Sequence, residues 1–235
     1  MSSGFVREQN ALTTVTFVDP IAIPLSRLLA RIGISPNAIT LASALTSVLT
    51  AILFADGGRI TLAVGGVVFY VSFLLDCVDG KVARLTDTTS EFGAKFDLYL
   101  DSLRKPLIFP GLLYGHFYTT YGVRGLALGI LLVGLHYAGH LLYNRLVNTN
   151  TTVEKREHFP AGGYESRELS GLNQFLKRHG VYCTPYTKPD EQFVLFVIMP
   201  LLGLPVIGMV LATALFVAVP ISAELKAYFF GGSTW

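Results

Sequence analysis

The sequence predicts an all-α, polytopic membrane protein in which six transmembrane helices follow one amphipathic helix lying in the interface. Three observations predict it. Of 235 residues, 51% are hydrophobic and 14% charged, whereas a soluble domain carries about 25% charge. Mean hydropathy is +0.52. Apolar runs of roughly 20 residues, long enough to cross about 30 Å of hydrocarbon, recur between short breaks rich in Gly, Pro and Asp.

The elements follow in order along a single domain, 1–235. Residues 19–33 are apolar at helical spacing, with Ile21, Leu25, Leu28, Leu29 and Ile32 on one side and Arg27 and Arg31 at i,i+4. That run is too short to span, so it is expected in the interface. Pro36 opens a first span over about 37–55, and Asp56-Gly57-Gly58 turns the chain into a second over about 60–84. Thr88 and Glu91 fit a capping box for a third helix, about 90–118. A fourth covers about 124–146, and a long polar stretch, 147–189, reads as a loop. Spans at about 190–203 and 205–228 close the chain, separated by Gly203, Leu204 and Pro205.

Charge sets the expected orientation. Six spans put the N-terminus, the 81–95 turn, the 147–189 loop and the C-terminus on one side. That side carries Arg7, Arg27, Arg31, Lys81, Arg84, Lys95, Lys155, Arg156, Arg167, Lys177, Arg178 and Lys188, against Arg59 and Arg124 opposite. The positive-inside rule then places both termini at the cytoplasmic face of a cell membrane. Residues Met1 to Asn10 lack the layout of a cleaved signal peptide, so the spans themselves are expected to direct insertion. Cys77 and Cys183 are too few for a disulfide framework and read as free thiols. A net charge of +2 without a clustered basic face argues against a nucleic-acid partner.

The chemistry concentrates in D-C-V-D-G-K-V-A-R (76–84) and G-A-K-F-D-L-Y-L-D (93–101). At 100° per residue, Asp76, Asp79, Gly80, Ala83 and Arg84 fall within about 140° of one helix face, and Gly93, Asp97 and Asp101 within about 80° of the next. A short turn makes the two helices antiparallel, so both faces can meet near the cytoplasmic mouth. Ionisable groups at membrane depth need partners and mark functional sites. Four carboxylates suit hard divalent cations such as Mg²⁺, and two ions in one cage suit phosphoryl or phosphatidyl transfer. Gly80, Gly93 and Ala83 leave room for a ligand, and Arg84 offers a planar fork to a diphosphate oxygen. Eight residues at set spacing arise by chance on the order of once in 10¹⁰.

This pattern resembles the signature of the CDP-alcohol phosphotransferase family, D-x2-D-G-x2-A-R-x8-G-x3-D-x3-D. Asp76, Asp79, Gly80, Ala83, Arg84, Gly93, Asp97 and Asp101 match every fixed position, and Ser35 to Thr40 (S-P-N-A-I-T) resembles the family's entry to its first span. The resemblance implies a six-helix membrane enzyme, usually a homodimer, that moves a phosphatidyl or phosphoalcohol group from a CDP-linked donor to an acceptor hydroxyl and releases CMP. It implies Mg²⁺ or Mn²⁺, two ions, on Asp76, Asp79, Asp97 and Asp101, with Asp101 also the base for the acceptor. It implies donor contacts from Gly80, Ala83, Arg84, Ser90 and Gly93, with Asn37 and Thr40 beside them. CDP-diacylglycerol is the expected donor.

Other signals carry competing readings. Arg104 and Lys105 suit either an anionic pocket for a phosphorylated acceptor, such as glycerol 3-phosphate or inositol phosphate, or charge compensation for the aspartates. His136 and His140, at i,i+4, suit a metal or a hydrogen-bonded place in the bundle. Tyr137, Tyr143, Asn144 and Arg145 read as interface anchors. The loop cations Lys155, Arg156, Arg167, Lys177 and Arg178 read as a solvated surface able to attract anionic headgroups. A divalent-cation transporter or channel could also use the aspartates, but it gives no reason for Gly80, Ala83, Arg84 and Gly93 to keep register with them.

Overall fold

A computed structural model describes residues 11–149 and 188–214, with side chains over 11–141 and 189–214. The described residues contain helix and no strand. A π-helical turn, Thr14–Val18, leads into α1 (Asp19–Arg31); α2 (Pro36–Asp56) and α3 (Arg59–Leu85) follow. Next, α4 (Glu91–Leu112) continues through a π-helical turn, Leu113–Tyr118, into α5 (Thr119–Thr149). Beyond residue 187, α6 (Lys188–Phe193), a π-helical turn Val194–Ile198, α7 (Met199–Leu202) and α8 (Pro205–Ala214) complete the described chain. The tail of the expected sixth span, Cys183 and nearly all of the 147–189 loop lie outside the described residues, as do the side chains of Tyr143, Asn144 and Arg145.

Among the described residues, three stretches are long and apolar enough to cross a membrane: Pro36–Asp56, Arg59–Leu85 and Glu91–Leu141. The third, at 51 residues, would extend about 77 Å as one straight helix, more than twice the hydrocarbon thickness. It folds back on itself at Gly122, where φ is +63° and ψ −154°, a backbone region open essentially only to glycine. Beyond the turn, Gly125 backs onto Phe117, and Gly129 onto Leu113 and Phe117. The α4–α5 pair is therefore an antiparallel hairpin, matching the expected break between spans at 119–123.

The α2 pattern shows what solvent the bundle is built for. Thr40, Ser43, Ser47 and Thr50 are buried while Leu41, Leu45, Val48, Leu49 and Ile52 are exposed. Water would reverse that arrangement; a bilayer rewards it, because lipid contacts suit the leucines and helix–helix hydrogen bonds suit the small polar residues. Ser43 and Ser47 meet Ser72 of α3, with Oγ–Oγ distances of 3.4 and 2.7 Å, and Ser43 Oγ donates to the Ser72 carbonyl at 2.9 Å. On α2's other side the backbone itself packs against α4. A Cβ on Gly115 would stand 1.9 Å from the Phe54 carbonyl oxygen, and one on Gly111 2.2 Å from that of Ala51.

Two expectations need correction. The apolar side of α1 is divided, and Lys81, expected among the cytoplasmic-side cations, is buried against it. Its packed face is Ala22 and Ser26 with Leu25, Leu29 and Ala30, while Ile21, Leu28 and Ile32 are exposed. Small residues and a buried ion pair, Asp19 to Lys81 at 2.9 Å, hold it on α3, and its larger side chains are left for lipid. Lys81 is thus not a surface cation. The cap of α4 is Ser90, not Thr88: Ser90 is extended and its Oγ accepts from the Gly93 amide at 3.0 Å, whereas Thr88 is engaged with Thr86.

The α2–α4 contact yields a test. Gly115→Leu should lower stability by about 3 kcal/mol or more, read as a fall in unfolding temperature in detergent. Gly134→Leu, where a Cβ meets nothing within 4 Å, should leave it unchanged.

Candidate active site

The site lies where α2 begins, α3 ends and α4 begins. Its centre is the guanidinium of Arg104, which is 4% exposed. It pairs with Asp76 of α3 through Nη2 and with Asp101 of α4 at 3.2 Å through Nη1. Nη2 also reaches Ser43 Oγ of α2 at 3.1 Å. One cation thus joins three helices, and the expected meeting of the two aspartate faces is present: Asp76 and Asp101 touch the same group.

Asp79 is 4% exposed. Thr40 Oγ1 lies 2.6 Å from its Oδ2 and 3.1 Å from the Pro36 carbonyl. A hydroxyl has one proton, so it goes to the shorter contact, the carboxylate. The Gly80 amide donates to Asp79 Oδ1. Asp79 also lies in the fields of Asp76 and Asp97, so the carboxylates of α3 and α4 share one end of the helix pair. Oxygen-only donors of this number fit a hard divalent cation, which keeps part of its water and shares the rest with substrate phosphates.

The donor-contact candidates line the mouth. A Cβ on Gly80 would stand 3.4 Å from Arg84 Nη1, so the guanidinium folds over the glycine. A Cβ on Gly93 would stand 3.5 Å from Asn37 Oδ1 and 3.1 Å from Ser90 Oγ. The N-termini of α2 and α4 therefore converge beside Gly93, and both present amides and positive dipole ends suited to a diphosphate. Ser90 Oγ accepts from the Gly93 amide and keeps its own proton for a ligand. Asn37 is exposed, and Ala83 is half-buried. Thr40 Oγ1 is engaged with Asp79.

The two acceptor candidates point to different partners. Arg104 compensates Asp76 and Asp101. Lys105 Nζ lies 3.0 and 3.1 Å from the two oxygens of Glu191 and 3.4 Å from His140 Nε2. Glu191 also meets His136 Nε2 at 2.7 Å and His140 Nε2 at 3.0 Å. Both cations are engaged by carboxylates, so what the structure supports for them is compensation. Among the described residues, His136, His140 and Glu191 form the group of three ligating atoms within 4.8 Å of one another. Sequence reasoning missed Glu191. A signal existed, since an acid opening an apolar span needs a partner and Lys105 needed one too.

Comparison with known proteins decides the family. The profile of the CDP-alcohol phosphatidyltransferase family matches residues 33–222. The chain belongs to that family. Phosphatidylinositol phosphate synthase of Mycobacterium marinum is 34% identical over 101 residues, 43% of this chain and 41% of that protein. CDP-diacylglycerol–serine O-phosphatidyltransferase of Helicobacter pylori is 31% identical over 117 residues, 50% of this chain and 47% of that one. The matches thus span less than half the length of these relatives. The crystal structure of Mycobacterium tuberculosis phosphatidylinositol phosphate synthase with CDP-DAG bound superposes with a TM-score of 0.55 at 19% identity, covering 89% of this chain and 94% of that one. The same enzyme in complex with manganese and citrate gives 0.51 at 19% identity, covering 89% and 90%. At that identity the likeness establishes the fold.

Thr40→Val tests the support of Asp79. Losing that hydrogen bond should weaken Mn²⁺ binding about tenfold, measured by titration of the purified protein, with little change in unfolding temperature.

Proposed function

We propose that the protein transfers the phosphatidyl group of CDP-diacylglycerol to the hydroxyl of a small phosphorylated polyol, releasing CMP, at the cytoplasmic face of a cell membrane. The observation that carries this reading is the meeting of Asp76 and Asp101 from facing helices on Arg104, with Asp79 in the field of Asp76 and Asp97. Family membership supports the reaction class, and the CDP-DAG held by the structural neighbour supports the donor. The phosphorylated polyol is supported by relatives that are a phosphatidylinositol phosphate synthase and an archaetidylinositol phosphate synthase; glycerol 3-phosphate and inositol phosphate are the leading candidates. Six spans, cytoplasmic termini and a homodimer complete the proposal.

In this reading Arg84, the Ser90 hydroxyl and the N-termini of α2 and α4 hold the diphosphate, while Gly80 and Gly93 put no side chain in the way of its oxygens. Asp101, 46% exposed at its side chain, takes the proton from the acceptor hydroxyl. The acceptor oxygen forms a bond to the phosphorus bearing diacylglycerol as the bond from that phosphorus to the oxygen of CMP breaks. A carboxylate aimed at the hydroxyl supplies about 10²–10⁴-fold as general base. Two Mg²⁺ or Mn²⁺ ions on Asp76, Asp79, Asp97 and Asp101 would neutralise the diphosphate and the departing CMP. An ion pathway across the membrane finds no support in the family or in the geometry.

The test is CMP release by purified protein with Mg²⁺ or Mn²⁺, labelled CDP-diacylglycerol, and glycerol 3-phosphate, inositol phosphate or serine as acceptor. Failure of every CDP-alcohol to yield CMP would sink the enzyme reading; turnover with serine alone would reassign the acceptor. Asp101→Asn should lower turnover by about 10³-fold or more while donor binding stays measurable. Loss of donor binding as well would make Asp101 chiefly a metal ligand.

A further inference from the structure

We propose that Glu191 is a positioning residue for the candidate active site: it holds the Lys105 ammonium outside the aspartate cage, leaving Arg104 as the α4 cation that faces the metal-binding carboxylates. The inference rests on the reading of Asp101 as a metal ligand. It begins with spacing. Lys105 follows Asp101 by four residues on α4, and an acid followed by a lysine at i+4 is the favoured order for a helical ion pair. With no other partner, that four-carbon stem delivers its ammonium to Asp101.

The structure gives it another partner. Lys105 Nζ sits against both oxygens of Glu191, at 3.0 and 3.1 Å. Glu191 is 0% exposed and is held in turn by His136 at 2.7 Å and His140 at 3.0 Å. His136 and His140 are one turn apart on α5, so they address the two oxygens separately. The carboxylate of α6 is thereby fixed beside α4, one turn deeper than Asp101.

The same group could be read as a metal site, since its three ligating atoms fit within 4.8 Å. Charge decides against that. The Lys105 ammonium already balances the Glu191 carboxylate and lies against both of its oxygens. A divalent ion would add two positive charges to a buried group that is already balanced. What the cluster does is retain a lysine.

The consequence falls on the cage. Arg104 already contacts Asp76 and Asp101, and a second cation beside Asp101 would compete with the divalent ion for the same oxygens. Glu191→Gln keeps the shape of residue 191 and frees that ammonium. It should weaken Mn²⁺ binding about tenfold or more, measured on detergent-purified protein by the loss of the free-ion EPR signal, with unfolding temperature recorded alongside. The double variant Lys105→Met/Glu191→Gln removes both charges and should restore wild-type binding to within about twofold.

Wild-type binding by Glu191→Gln overturns the proposal. So does a double variant as weak as the single one, because the defect is then collapse of the cluster and not a misplaced charge. If the single variant does not fold, the double variant decides: a folded double variant with wild-type Mn²⁺ affinity retains the proposal, and failure to fold overturns it. If wild-type protein binds no Mn²⁺, the metal reading beneath the proposal fails, which is a separate result.

Discussion

One guanidinium organises this molecule. Four aspartates near the end of a helix bundle repel one another and resist transfer out of water. Arg104 answers two of them at once, Asp76 on α3 and Asp101 on α4, and reaches Ser43 on α2. Such a buried pair adds little net stability, since desolvation offsets attraction; removing one partner costs about 3–5 kcal/mol. Its effect is on geometry. It ties the carboxylate-bearing face of α3 to that of α4.

Much of the arrangement could be read from the chain. The facing of the two aspartate pairs followed from helical spacing and a short turn, and Gly57, Gly122 and Gly203 fall at the breaks between helices, each at positive φ. What could not be read was the choice among equivalent partners. Ser90 caps α4 where Thr88 also fits the spacing, because a cap depends on which residue is extended at the turn. The α1 apolar face, expected in the interface, is divided, with Leu25 and Leu29 packed on the core and Ile21, Leu28 and Ile32 exposed. Glu191 escaped notice because its partners lie 51 to 86 residues away in sequence, a distance over which periodicity carries no information.

The neighbours Arg104 and Lys105 show how a helix sorts charge. They are 100° apart on α4, enough to aim one at α3 and the other at α5 and α6. Arginine takes the place with two carboxylates and a hydroxyl, which suits a fork with several donors in fixed directions. Lysine takes the single carboxylate, where a point charge suffices. Exchanging them would leave the forked group with one acid and ask one ammonium to join two helices.

Taken along α4, the charges alternate. Its N-terminus is positive by the helix dipole and carries the exposed Glu91–Lys95 pair; Asp97 and Asp101 follow; then come Arg104 and Lys105, with Glu191 beside them. From Gly93 to Lys105 is about 18 Å of rise, so each layer lies roughly one to two turns from the next. The stack sets Asp101 beside Arg104 and Lys105 beside Glu191, yet it works only while α4 keeps its axial position against α2 and α3. The close backbone contacts of Gly111 and Gly115 with Ala51 and Phe54, at the opposite end from the carboxylates, set that position. Packing at one end of the bundle thereby fixes electrostatics at the other, and small residues far from the chemistry belong to the site as much as the acids do.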